Sequence, residues 1–124
     1  MDLTLTNISR AYDATKLFVS CNSSDGYTVQ LAVSNTIFPD RVDDQAMYEK
    51  ITYKVTGINY VEETEWLMNS MQYKNNFYAG DAKEFVLRFY DGRSLNMGVD
   101  GKIYQFDLAE AKPPIAHMKS NCSS

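Results

Sequence analysis

The chain has 124 residues, 12 Lys and Arg against 16 Asp and Glu, and a net charge of −4. That length fits one domain, residues 1–124, large enough to bury a core without a metal or several disulfides. No basic stripe is present for phosphate binding, and no run of about 18 apolar residues could cross a membrane as a helix. The partners expected are therefore another protein or a cell-wall component, with no nucleic acid and no membrane span. No cofactor is expected.

The first sixteen residues read either as a short helical turn or as an extended lead-in. Leu17 to Cys21 reads as a strand. A turn follows at Asn22-Ser23-Ser24-Asp25-Gly26, where Asp-Gly is a preferred hairpin dipeptide. Tyr27 to Ser34 then alternates, with Tyr27, Val29, Leu31 and Val33 on one face. Pro39 to Gln45 is a polar loop. Met47 to Val55 again has period two, and Glu49 falls on its apolar face. Gly57 ends that strand.

Val61 to Met68 is read as a strand, and Tyr73 to Tyr78 as a loop carrying exposed aromatics. Phe85, Leu87 and Phe89 alternate with Val86, Arg88 and Tyr90, which predicts a strand over Ala82 to Tyr90. Ser94–Val99 and Lys102–Leu108 flank Asp100-Gly101, a second hairpin signal. Pro113-Pro114 can begin a helix but not sit inside one. A helix is expected from Pro113 to Ser120, with Ile115 and Met118 inward. The fold class is mainly β: one antiparallel β-sandwich or barrel-like domain with a short C-terminal helix.

Cys21 and Cys122 have three readings: reactive or metal-bound thiols, two buried free thiols, or a structural disulfide. No CxxC or CxH spacing accompanies them, and the single histidine, His117, cannot complete a zinc site. The disulfide is the expectation adopted, and it implies an oxidising compartment. The opening residues Met1 to Thr6 lack the basic and apolar regions of a leader. The chain is then either cytosolic or a mature segment whose leader has been removed.

No nucleophile–base pair or metal set can be assembled from motif and spacing, so no enzyme is expected. The acidic groups, among them Asp40, Asp43, Asp44, Glu62, Glu63 and Glu65, read as solvated loops and edges. The aromatic-rich middle has two readings, sheet packing or a partner-binding patch. For the patch the candidates are Tyr60, Trp66, Tyr73, Phe77 and Tyr78.

Several segments together resemble the VasI/TagO-like exported proteins associated with type VI secretion. The matching pieces are Leu17-Phe18-Val19-Ser20-Cys21, then Ile51-Thr52-Tyr53-Lys54-Val55 leading to Trp66. Phe85-Val86-Leu87-Arg88-Phe89, Gln105-Phe106-Asp107-Leu108 and Ile115-Ala116-His117-Met118 before Cys122 complete the set. Pro113-Pro114 departs from the glycine-containing turn of that family. The resemblance implies a disulfide-closed β-rich fold outside the cytoplasm and carries over no catalytic residue.

Thr56-Gly57-Ile58-Asn59-Tyr60 is similar to the Ser-Gly-x-x-Tyr loop of periplasmic lysozyme inhibitors, with Thr in place of Ser. Three functions are thus in play. The first is a non-enzymatic periplasmic or secreted binding protein. The others are an enzyme inhibitor, and a cytosolic phage or mobile-element protein that blocks a host factor.

Overall fold

A computed structural model describes residues 2–8, 15–22, 26–33, 46–71 and 74–122. The polar loop expected at Pro39 to Gln45 and the tip of the first hairpin, Ser23 to Asp25, lie outside those residues. Among the described residues eight strands are present: β1 (Asp2–Thr6), β2 (Lys16–Asn22), β3 (Gly26–Ala32), β4 (Ala46–Thr56), β5 (Tyr60–Met71), β6 (Lys74–Tyr78), β7 (Ser94–Val99) and β8 (Lys102–Asp107). Helix α1 (Ala82–Phe89) joins β6 to β7, and α2 (Lys112–Asn121) follows β8 through a single 3-10 turn.

All eight strands form one antiparallel sheet in the order β1-β2-β3-β6-β5-β4-β7-β8. Its two edge strands meet. The Ile8 amide donates to the Gln105 carbonyl at 2.8 Å, and the Gln105 amide donates to Asn7 Oδ1 at 2.7 Å. Asn7 is itself buried, and its amide donates to Thr15. The sheet is therefore a nearly closed barrel, which leaves little unpaired strand edge.

Alternation decides which residues fill it. Leu17, Val19 and Cys21 of β2 are buried, as are Tyr27, Val29 and Leu31 of β3 and Ile51, Tyr53 and Val55 of β4. The β7–β8 hairpin closes as its Asp-Gly turn predicts, with positive φ at both Asp100 and Gly101, the backbone that a two-residue hairpin of this twist needs. Gly57, at φ +96°, turns β4 into β5.

Two elements differ from the sequence expectation. Ala82 to Tyr90 is not a strand, since α1 occupies Ala82–Phe89. Its buried residues are Ala82, Phe85, Val86 and Phe89, spaced three, one and three apart as on one helix face. The alternating Phe85, Leu87, Phe89 pattern misleads because Leu87 points outward and is 40% exposed. Lys74 to Tyr78 is not a loop, since it forms β6 between β3 and β5. Phe77 is fully buried there.

The C-terminal helix is present, with Ile115 and Met118 buried and proline at its first turn. Lys112 joins the two helices. Its Nζ donates to the Tyr90 carbonyl at 2.6 Å and the Gly92 carbonyl at 2.9 Å, just past the C-terminus of α1. A cation there offsets the partial negative charge of unsatisfied helix carbonyls. Beyond α2, Cys122 forms a disulfide with Cys21 of β2, with Cα atoms 6.3 Å apart, inside the usual range. The bond ties the last helix to the first hairpin, and both cysteines are buried.

Candidate functional site

The candidate site lies where α1 meets β4 and β5. Tyr53, Glu62, Thr64 and Trp66 stand on the same face of their paired strands, because Tyr53 pairs with Glu62 and Ile51 with Thr64. Phe85 of α1 packs against this face. It meets Tyr53 edge-on at 4.8 Å between ring centroids and Trp66 edge-on at 5.0 Å, and Phe89 continues the stack at 5.1 Å. Such edge-to-face contacts are favourable beyond the area they bury.

Above the rings is a small recess of about 50 Å³, lined by Tyr53, Glu62, Thr64, Trp66, Asp81, Glu84 and Phe85. Glu62 is its organised carboxylate. The Tyr53 hydroxyl donates to Glu62 Oε2, and the Tyr60 hydroxyl donates to the same oxygen at 2.9 Å. Those two hydrogen bonds stabilise the ionised carboxylate and hold its pKa below the usual glutamate value. Tyr53 moves the other way, since burial comes first and then its bond to Glu62 in keeping its phenol protonated. Tyr60 is also raised, by desolvation first and Glu62 second.

Arg88 stands beside Tyr60 and Glu84. Its guanidinium lies 4.9 Å from the Tyr60 ring centroid and pairs with Glu84 at 3.0 Å. Asp81 sits at the N-cap of α1 but makes no side-chain capping bond. The residue lines the recess instead. Among the described residues, the recess wall thus carries three carboxylates, with one neighbouring cation.

The five residues predicted as a partner-binding patch separate. Trp66 and Phe77 are core residues, 2% and 0% exposed, so neither belongs to an exposed aromatic patch, though Trp66 lines the recess. Their strand parity puts them on the inner face, with Met68 and Leu31. Tyr60 is half-buried at the edge of the recess. Tyr78 is exposed on the outer face, and Tyr73 lies outside the described residues. Tyr78 pairs with Leu67, which in turn pairs with Tyr48, giving a row of exposed apolar side chains across β6, β5 and β4.

Sequence reasoning missed Tyr48, although it alternates out of phase with the buried Ile51 and Tyr53. It also missed Asp81, Glu84 and Arg88 as members of one site. The Gly-Asp pair before an apolar stretch, followed by Glu84 and Arg88 four apart, was the available helix signal.

Glu49 is half-buried at the end of the inner face of β4 and lines a second, open groove with Lys50, Thr52, Gly98 and Ile103. His117 is exposed on α2, where its carbonyl accepts from Asn121. Among the described residues, no three His, Cys, Asp or Glu side chains converge to hold a metal ion. No helix there is long and apolar enough to cross a membrane. Compared with known proteins, the chain matches no family model, no curated protein and no solved structure.

Proposed function

We propose that this chain is a small exported protein, periplasmic or secreted, that binds another protein or a cell-wall component and has no catalytic activity of its own. The observation that carries this reading is the Cys21–Cys122 disulfide. Disulfides persist in oxidising compartments and are rare in the mesophile cytosol. The segment pattern shared with VasI/TagO-like proteins supports the same compartment. Alkylation of the protein as it leaves its native compartment, read by mass spectrometry with and without reductant, tests the premise. The expected result is no adduct before reduction and two after it. Two adducts without reductant would remove the exported reading and favour a cytosolic blocker of a host factor.

A second reading, an enzyme inhibitor, is favoured by the β4–β5 turn. Ile58 stands 42% exposed at its tip, and Gly57 and Asn59 both have positive φ. The Arg93 amide donates to the Thr56 carbonyl at 2.8 Å, which anchors the turn. Tyr60 is tied back to Glu62, so Ile58 is the residue that would lead an insertion. An assay against muralytic enzymes decides this reading. Inhibition weakened by Ile58→Ala supports it, and no inhibition at micromolar protein removes it.

A further inference from the structure

The geometry points to the recess between α1 and β5 as a socket for an arginine side chain of a partner protein. Size comes first. At about 50 Å³ the recess holds the end of one side chain, well below the few hundred Å³ of a metabolite pocket. Charge comes second. Glu62, Asp81 and Glu84 line it; among the described residues Glu84 is ion-paired with Arg88, whose charge also acts on Glu62. Asp81 forgoes its capping role, and among the described residues its carboxylate has no ion-pair partner.

The wall comes third. Trp66, Phe85 and Tyr53 supply aromatic rings, and a planar guanidinium both stacks on rings and forks its N–H groups onto carboxylates. Arg88 shows the same preference within the chain, set over Tyr60 and bonded to Glu84. Trp66 itself comes fourth. It is 2% exposed, and its indole N–H finds no acceptor among the described residues. A buried donor without an acceptor is costly, and Trp66 lines the recess that the partner side chain would enter.

This socket rests on the binding-protein reading and names the partner chemistry for it. Trp66 is the single tryptophan of the chain, so its fluorescence reports on the recess directly. The probe is acetyl-Gly-Arg-Gly-amide, with the citrulline peptide as its uncharged counterpart. A saturable change in Trp66 emission at millimolar arginine peptide is expected, with the citrulline peptide at least tenfold weaker. Asp81→Asn is expected to weaken the arginine peptide about fivefold, the loss of roughly 1 kcal/mol from one exposed charge pair. Asp81→Ser, also compatible with a helix N-cap, repeats the test if Asn alters the melting temperature.

Equal responses to the two peptides, no saturable response, or unaltered binding by both Asp81 variants would overturn the socket. A null titration leaves the exported reading standing. Free thiols in the native compartment would remove that reading and leave the titration untouched.

Discussion

Helices α1 and α2 are both short, and each follows a strand of the same barrel, yet they are held by different physics. Helix α1 lays four buried side chains on the inner face, with Phe85 edge-on to Tyr53 and Trp66. Helix α2 buries only Ile115 and Met118 and adds a covalent bond one residue past its end. An eight-residue helix is too short to persist alone in water. Packing supplies what α1 lacks, and for α2 the disulfide supplements a thinner contact. The recess thus depends on side-chain packing, while the C-terminal end depends on redox state.

The largest effect that could break this contrast is Phe85→Ala. It removes a side chain that is 3% exposed and central to the stack, so about 3–5 kcal/mol of stability should be lost in denaturant titration. Leu87→Ala, one turn face away and 40% exposed, should change stability by less than about 0.5 kcal/mol. A Leu87 variant as damaging as the Phe85 variant would contradict the helical assignment of this segment.

Next is the Cys21→Ser, Cys122→Ser double variant, expected to cost about 2–5 kcal/mol, because the bond closes a loop with a sequence separation of 101. The wild type should lose a similar amount in reductant, and the double variant should be insensitive to reductant. An intermediate effect, about 1–2 kcal/mol, is expected from Lys112→Met, which withdraws the ammonium from the Tyr90 and Gly92 carbonyls. Thermal melts of the single variant measure it.

The smallest effect concerns pH. Glu62 has a lowered pKa in the folded protein, so its contribution is full above the unfolded glutamate value, about 4.3, and is lost as pH falls through the folded value. The melting-temperature gap between wild type and Glu62→Gln should therefore narrow on acidification below about pH 4. A gap that widens with acid would reverse the assigned sign.

Much of the barrel was legible because alternation is a local signal. Val29 and Leu31, or Leu95 and Met97, declare their face within a few residues. The Asp100-Gly101 turn is likewise local chemistry. Ala82 to Phe89 was ambiguous because Phe85 and Phe89 satisfy both a two-residue and a four-residue spacing. What resolves them is Tyr53 and Trp66, far away in sequence. The recess was illegible for the same reason, since its carboxylates come from β5 and from the entry to α1. The pairing of Cys21 with Cys122 was accessible because the chain holds just two cysteines.

That pairing makes a covalent ring of everything between residues 21 and 122. A protease that cuts one peptide bond inside the ring opens it without dividing the molecule. Both fragments stay joined through sulfur and travel together on a non-reducing gel. Two cuts, or one cut and a reductant, are needed before any piece can diffuse away. In a protease-rich surrounding, a nicked copy can therefore keep its strands at high effective concentration and its barrel assembled.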